Sequence, residues 1–232
     1  MIELKNVSMS YPVEQARVPV LNDVSLTIDA GQSVAIVGPS GSGKTTLLLL
    51  LAGLDHADSG SIHLAGTRLG ELTPDELADL RRDQLGIVFQ SFHLIPSLTA
   101  LGNVSLPLEI AGAADAEDKA RQILARVGLS HRETHYPTQL SGGEQQRVAI
   151  ARSLVHAPPL ILADEPTGNL DKDTGASISD MLFDLHHTLG STLVLVTHDP
   201  GLAARCDRQL QLDSGSLIEG SNPQGQVRAI SG

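Results

Sequence analysis

The chain has 232 residues, of which 41% are apolar, 19% are charged and 2% are aromatic, and this length predicts one sizeable globular domain. Lys and Arg total 16 against 27 Asp and Glu, so the formal net charge of −11 opposes binding to nucleic acid. The longest apolar run, Leu47–Gly53, is far shorter than the roughly 20 residues that cross a bilayer, and the amino terminus lacks the basic region of a targeting segment. We therefore expect a soluble chain that stays where it is made, and its single cysteine, Cys206, fits a reducing compartment.

Short aliphatic runs alternate with helical patterns along most of the chain. This alternation predicts an α/β fold with a parallel sheet whose strands are buried on both faces. At the amino terminus, Ile2–Met9 and Val24–Ile28 alternate apolar and polar residues, which predicts a small antiparallel β-layer before the parallel core. The predicted core strands are Ser33–Val37, Gly86–Phe89, Leu160–Ala163 and Thr192–Thr197, and the predicted helices include Leu47–Ala52, Pro74–Gln84, Ala116–Val127 and Lys172–Leu189.

The segment between Ser91 and Pro159 contains helical patterns broken by proline and glycine, and no convincing strand. We therefore predict a helical subdomain over residues 91–157, inserted into a core that residues 1–90 and 158–219 form. Residues 220–232 are rich in Gly, Ser and Gln with little to bury, which predicts a loosely held tail.

A glycine-rich loop directly follows the first predicted core strand. It reads G-P-S-G-S-G-K-T-T and precedes a helical run, which matches the phosphate-binding pattern G-x-x-x-x-G-K-[ST] in its required context. The glycines let backbone N–H groups converge on phosphate oxygens, and the helix presents its positive dipole end to them. In this pattern the lysine reaches the outer phosphates and the next hydroxyl binds Mg²⁺. The predicted nucleoside triphosphate site, called the phosphate loop below, comprises Gly38, Pro39, Ser40, Gly41, Ser42, Gly43, Lys44, Thr45 and Thr46.

Two adjacent acids, Asp164 and Glu165, end the apolar strand Leu160–Ala163. Ligands of open parallel sheets bind at the carboxyl ends of the strands. Asp164 is suited to hold Mg²⁺ through its water shell, and Glu165 is suited to act as a general base on an attacking water. The alternative, that two acids simply end a strand, is the weaker interpretation beside a phosphate loop.

A third pattern, called the signature segment below, is L-S-G-G-E-Q-Q-R at residues 140–147, which opens a helical run to Val155. Ser141 followed three residues later by Glu144 is a capping box, so the helix is predicted to begin at Ser141 with its N–H groups and dipole exposed. The pattern therefore predicts a second anion site.

Five features of the chain resemble, in order and spacing, the nucleotide-binding domain of an ABC-type ATPase. They are the phosphate loop, Gln90, the signature segment, the run L-I-L-A-D-E-P-T-G-N-L-D and His198. The resemblance covers about residues 2 to 218. It implies a P-loop NTPase fold with a RecA-like parallel sheet core, an N-terminal antiparallel β-layer and an inserted α-helical subdomain. It also implies ATP and Mg²⁺ as ligands and ATP hydrolysis as the reaction.

The resemblance implies a role for each matching residue. Tyr11 matches the aromatic residue that stacks on adenine, with simple packing at a strand end as the alternative. Gln90 matches the glutamine that contacts Mg²⁺ and the attacking water, Asp171 the residue that couples two sites, and His198 the switch histidine at the γ-phosphate. The residues that match the contact with ATP of an opposite copy are Ser141, Gly142, Gly143 and Glu144. The residues implied in catalysis are Glu165, His198 and Gln90, and those implied in holding the metal are Thr45, Gln90 and Asp164.

Within the ABC group, A-D-E-P-T-G-N-L-D and the run Gln90–Leu101 are similar to the lipoprotein-release, macrolide-export and cell-division ATPases, the LolD, MacB and FtsE group. V-T-H-D followed by L-A-A-R-C-D-R is similar to the YbbA-type ATPases. The family implies an ATP-dependent homodimer and a partner membrane permease with a large extracytoplasmic domain. It places the chain at the cytoplasmic face of the inner (plasma) membrane, peripheral through its permease, with no nucleic acid partner.

In such proteins the segment after Gln90 meets the permease. The candidates for that contact, each with burial inside the helical subdomain as the alternative, are Phe92, Leu94, Ile95 and Leu98. Gly102 stands where the family often has glutamate, which is a departure in the region that faces the partner.

The competing class is a soluble ABC ATPase that acts on DNA or the ribosome. Chromosome-type members need a long coiled coil between phosphate loop and signature, whereas 96 residues separate Lys44 from Leu140 here, and translation-type members carry two cassettes. A kinase would leave the signature segment without a role.

His131 and His135 lack a third ligand and the H-E-x-x-H pattern, so we interpret them as surface residues.

Overall fold

The computed structural model describes residues 1–14 and 16–219, and the predicted tail at 220–232 lies outside the described residues. The chain divides into two compact units. Within the described residues, the first unit holds residues 1–81 and 192–219, and the second holds residues 82–191. No helix in the described ranges is both long and apolar enough to span a membrane.

The elements below keep one numbering in chain order. The strands are β1 (Ile2–Val13), β2 (Ala16–Ile28), β3 (Ser33–Val37), β4 (Ser59–Leu64), β5 (Thr67–Arg68), β6 (Leu85–Val88), β7 (Leu160–Asp164), β8 (Thr192–Val196), β9 (Arg208–Asp213) and β10 (Ser216–Glu219). The α-helices are α1 (Lys44–Leu51), α2 (Pro74–Gln84), α3 (Ala100–Ile110), α4 (Ala116–Arg126), α5 (Gly142–Leu154), α6 (Lys172–Leu189) and α7 (Pro200–Ala203), and single 3₁₀ turns cover Leu69–Glu71, Ser130–Arg132 and Pro137–Gln139.

An antiparallel sheet in the order β2-β1-β4-β5 forms one layer of the first unit. Ile2 in β1 lies opposite Ile28 in β2 and Leu64 in β4, and all three side chains are at most 2% exposed. The period of two puts these apolar residues on one face of the sheet and leaves the other face polar. The predicted antiparallel layer is confirmed, with strands longer than predicted.

Parallel strands form the other layer of the first unit. Ala35 in β3 pairs with Leu195 in β8 on one side and with Gln209 in β9 on the other, and β10 adds antiparallel to β9. Val34 and Ile36 are fully buried. Burial on both faces explains the uninterrupted apolar run of β3.

The second unit contains the parallel pair β6 and β7 together with α3 to α6. Gly86 in β6 allows close approach of α5, because a Cβ at this position would overlap the carbonyl oxygen of Ser153. No strand occurs between residues 91 and 159, as the sequence predicts for this fully described segment.

Several predicted bounds are wrong. Helix α1 begins at Lys44 rather than at Leu47, because the polar residues of the loop already form its first turn. β6 begins and ends one residue before the predicted run Gly86–Phe89, and β8 ends at Val196. The strands β4, β5, β9 and β10 were not predicted from their sequences. In contrast, α2 and α6 have the predicted bounds.

Candidate functional site

The phosphate loop runs from the end of β3 into the first turn of α1. Gly41 and Gly43 have φ angles of +78° and +100°, a backbone region that side chains disfavour. A Cβ on Gly38 would overlap the carbonyl oxygen of Leu212, and one on Gly43 would lie 2.7 Å from a carbonyl oxygen of β2. The backbone of this loop therefore requires the glycines of the pattern.

The loop presents hydrogen-bond donors. Lys44 Nζ donates to the carbonyl oxygens of Gly38 at 2.9 Å and Pro39 at 2.8 Å, which leaves the third N–H of the ammonium group for a ligand. Gly43 precedes α1 and supplies no side-chain cap to the first-turn N–H groups. Ser42 Oγ is buried without a hydrogen-bond partner among the described groups. Such a set of donors fits the oxygen atoms of a phosphate chain.

His198 lies at the same sheet edge as the phosphate loop. Val196 in β8 pairs with Ile36 in β3, and the two strands are parallel. His198 follows Val196 by two residues as Gly38 follows Ile36, so both come at the carboxyl ends of neighbouring strands. The His198 side chain is exposed, and the next residue, Asp199, caps α7 with its carboxylate.

Tyr11 lies near the end of β1, opposite Val18 in β2, and its side chain is half-buried. Its hydroxyl donates to Asp55 Oδ2 at 2.8 Å. Burial and this hydrogen bond raise the pKa of the Tyr11 phenol above its usual value. The hydroxyl therefore stays protonated and remains a donor.

In the second unit, the carboxyl ends of β6 and β7 carry the predicted acids and Gln90. Val88 lies opposite Ala163, so Gln90 and the pair Asp164–Glu165 emerge at one edge. The Asp164 side chain is 9% exposed. Glu165 has a φ of +45°, a strained conformation that costs about 1–3 kcal/mol in residues with a side chain and that clusters at functional sites.

Gln90 is held by Asn169. The Asn169 Nδ2 donates to the backbone oxygen of Gln90 at 3.0 Å, and the Gln90 Nε2 donates to Asn169 Oδ1 at 3.2 Å. Gly168 leaves room for this pair, because a Cβ there would lie 2.8 Å from Gln90 Nε2. The sequence gives no signal for Asn169, because the two residues lie 79 positions apart.

Helix α5 begins at Gly142, one residue later than predicted, and Ser141 caps it with the predicted capping box. The Glu144 N–H donates to Ser141 Oγ at 3.3 Å, and the Ser141 N–H donates to Glu144 Oε2 at 2.8 Å. Arg132 Nε donates to the other carboxylate oxygen, Glu144 Oε1, at 2.8 Å. The hydrogen bonds from the Ser141 N–H and from Arg132 lower the pKa of Glu144 to about 2, because their effect exceeds the opposite effect of partial burial. Glu144 is therefore ionised, with both oxygens engaged.

The beginning of α5 packs on the segment before α6. A Cβ on Gly142 would lie 3.6 Å from Leu170 Cδ2, and one on Gly143 would lie 2.5 Å from Thr174 Cγ2. Asp171 caps α6 by accepting from the Thr174 N–H at 3.0 Å, and this hydrogen bond lowers the pKa of Asp171. Gly143 thus allows close packing within the second unit, whereas a side chain at Gly142 would make only an ordinary contact.

The segment after Gln90 is fixed by a half-buried arginine. Arg152 in α5 donates to the carbonyl oxygens of His93 at 2.7 Å and Phe92 at 3.1 Å. The residues considered for permease contact are each half-buried, which leaves both interpretations open: Phe92, Leu94, Ile95 and Leu98.

The described residues contain no group of three or more His, Cys, Asp or Glu side chains that would hold a metal by themselves. His131 is exposed, whereas His135 is half-buried with its Nε2 3.2 Å from Arg132 Nη1. A divalent ion at the predicted nucleotide site would need water or phosphate oxygens beside protein ligands, as Mg²⁺ does at phosphate sites.

Comparison with known proteins shows the family. The model of the ABC transporter family matches residues 21–168. The ABC transporter ATP-binding protein YbbA of Escherichia coli K12 is 48% identical over 220 residues, which are 94% of this chain and 96% of YbbA. The macrolide export ATP-binding/permease protein MacB of Burkholderia pseudomallei is 48% identical over 220 residues, which are 94% of this chain and 34% of MacB.

A solved structure supports the same assignment. The ATP-binding cassette MJ0796, in a dimeric post-hydrolysis state bound to ADP and Pi, has a TM-score of 0.87 and 41% identity to the chain, covering 94% of this chain and 98% of that one. The chain therefore belongs to the ABC transporter family and is one of its ATPases. It is an ATP-binding subunit of the MacB and YbbA type. The predicted family, fold class and enzyme class are confirmed.

Proposed function

We propose that the chain is the ATP-hydrolysing subunit of a transporter of the lipoprotein-release or macrolide-export type, and that two copies close on ATP to drive a partner permease. The observation that carries the proposal is the phosphate loop, in which Lys44 and the uncapped start of α1 present donors to one place. The relatives indicate which nucleotide binds, since YbbA and MacB are both named for ATP binding.

The phosphate loop binds the triphosphate in this proposal. Backbone N–H groups of the loop donate to phosphate oxygens, and Lys44 turns its remaining N–H to the outer phosphates. Tyr11 stacks its ring on adenine. The whole predicted set from Gly38 to Thr46 takes part.

Hydrolysis uses the three residues predicted to act in catalysis. Glu165 accepts a proton from water, the water oxygen bonds to the γ-phosphorus, and the bond to the bridging oxygen breaks, leaving ADP and phosphate. Gln90 orients the water and His198 contacts the γ-phosphate. The strained backbone of Glu165 supports its role, because such strain clusters at functional sites.

The donor set fits Mg²⁺, which favours oxygen ligands. The Thr45 hydroxyl, the Gln90 amide oxygen and the Asp164 carboxylate are the proposed ligands, Asp164 acting through water. Bound Mg²⁺ neutralises charge on the outer phosphates.

The second copy completes the site in this proposal. Ser141, Gly142 and Gly143 present the N-terminus of α5 to the γ-phosphate held by the opposite copy, and Glu144 fixes that N-terminus through its capping box. Asp171 couples the two sites through the start of α6. The dimeric state of the MJ0796 cassette supports this arrangement.

The permease is an integral membrane protein with a large extracytoplasmic domain, and the chain is held by it at the cytoplasmic face of the inner (plasma) membrane. The MacB relative supports this, because it is named as an ATP-binding/permease protein and the chain matches about a third of its length. The helical subdomain at residues 91–157 makes the contact through the segment that Arg152 fixes.

Membrane fractionation tests the partner class. The chain is expected in the membrane pellet, and it is expected to be lost from the pellet when the permease is deleted. The substitution Leu94→Asp is expected to reduce the amount of the chain in the pellet. The matched control is Leu54→Asp, which places the same charge at a 47% exposed leucine of the first unit. Sedimentation with ribosomes or DNA, independent of any permease, would instead support the soluble ABC ATPase class.

A further inference from the structure

Two carboxylates in the loop after α1 hold the end of β1. Asp55 Oδ2 accepts the Tyr11 hydroxyl at 2.8 Å. Asp58 Oδ2 accepts both the backbone N–H and the hydroxyl of Ser10 at 2.7 Å, and Arg17 pairs with the same carboxylate. The loop that ends the phosphate-binding helix therefore fixes the strand end that carries Tyr11.

Asp55 is itself oriented. Its second oxygen, Oδ1, accepts the backbone N–H of His56 at 2.8 Å, so the carboxylate is fixed while Oδ2 faces Tyr11. The phenol oxygen of Tyr11 is thus joined to the chain just beyond the C-terminus of α1, at Asp55.

We propose that Asp55 is a positioning residue for nucleotide recognition: by holding the Tyr11 hydroxyl, it fixes the ring in the orientation in which it stacks on the base. This proposal rests on the proposed function, in which Tyr11 stacks on adenine. A tyrosine near a strand end has two free side-chain torsions, and a hydrogen bond that removes this freedom before binding lowers the entropic cost of stacking.

Equilibrium binding by calorimetry, in EDTA to suppress turnover, tests the proposal. ATP is compared with tripolyphosphate, which has the phosphate chain without a base. Asp55→Ala is expected to weaken ATP binding about fivefold, the effect of one hydrogen bond, and to leave tripolyphosphate binding unchanged. Asp55→Asn retains a neutral acceptor and is expected to have a smaller effect.

A double-mutant cycle separates positioning from folding. Tyr11→Phe keeps the ring and removes the hydroxyl, so Asp55→Ala is expected to cause no further loss of ATP affinity in the Tyr11→Phe background. Glu76→Ala is the matched control, because it removes a carboxylate that accepts two hydrogen bonds from Thr73 elsewhere in the first unit. Glu76→Ala is expected to change neither the affinity for ATP nor the affinity for tripolyphosphate.

A ligand-free measurement completes the test. The chain has two tyrosines, so Tyr136→Phe leaves Tyr11 as the single one, and its ionisation is followed by ultraviolet absorbance. Asp55→Ala is expected to lower the pKa of Tyr11, because the acceptor and its negative charge are lost.

Three results would overturn the proposal. They are equal weakening of ATP and tripolyphosphate by Asp55→Ala, a full additional loss in the Tyr11→Phe background, or an unchanged Tyr11 pKa. Failure of the proposed function looks different. In that case the wild-type chain binds neither ligand, or Lys44→Ala leaves the binding of both unchanged.

Discussion

Glu144 carries a pH-dependent contribution to stability that follows from its capping box. In the folded chain its pKa lies at about 2 against an ordinary 4.5, because the carboxylate accepts from the Ser141 N–H and from Arg132. At about 1.4 kcal/mol for each pH unit this lowering corresponds to about 3 kcal/mol, and solvent screening of its partner Arg132, whose side chain is 36% exposed, reduces it to about 2 kcal/mol.

The sign follows from the direction of the pKa change. A carboxylate with a lowered pKa in the folded state stabilises that state fully above pH 4.5, the pKa of the unfolded chain, and the stabilisation is lost as the pH falls toward about 2. Glu144→Gln keeps a residue that suits a capping box but removes the charge. The variant is therefore expected to be about 2 kcal/mol less stable at neutral pH, and the difference is expected to fall to less than half near pH 3.

Urea unfolding followed by circular dichroism, at a series of pH values, measures this difference. The matched control is Glu117→Gln, because Glu117 pairs with Arg121 on the exposed face of α4 and such pairs contribute about 0.5 kcal/mol or less. A difference for Glu144→Gln that is the same at pH 3 and pH 7, or no larger than that of the control, would refute the electrostatic account of the cap.

Two further predictions concern turnover. Gly168→Ala places a methyl group against the Gln90 amide, so it is expected to lower the rate of ATP hydrolysis at least tenfold while ATP affinity changes little, and an unchanged rate would contradict the role of Gln90. Glu165→Gln is expected to retain ATP binding and lose at least a hundredfold in turnover, because an amide does not accept the proton from water; hydrolysis at the wild-type rate would rule out Glu165 as the base.

Local sequence determines the parts of the site that could be predicted. The phosphate loop needs glycines at fixed places in one short segment, and Ser141 with Glu144 forms a cap within a single turn, so spacing alone identifies both. Helix α1 begins earlier than predicted because its apolar pattern starts at Leu47, whereas Lys44 and Thr45 are already helical. Periodicity detects the buried face of a helix, not its polar first turn.

Contacts between distant residues could not be predicted. Asp55 lies 44 positions from Tyr11, and Asn169 lies 79 from Gln90, so no local pattern connects either pair. The strands β4 and β9 were missed for a related reason. Four of the six residues in β4 are exposed or polar, and such a strand is held by backbone pairing with β1 rather than by an apolar sequence.

We propose that ATP joins two copies of this chain, each contributing the start of α5 to the nucleotide of the other. Small-angle scattering of Glu165→Gln, with and without Mg·ATP, measures this association. We expect a monomer without nucleotide, a dimer with Mg·ATP, and loss of that dimer when Ser141→Arg is added. A particle that remains monomeric at saturating Mg·ATP would rule out the shared nucleotide site.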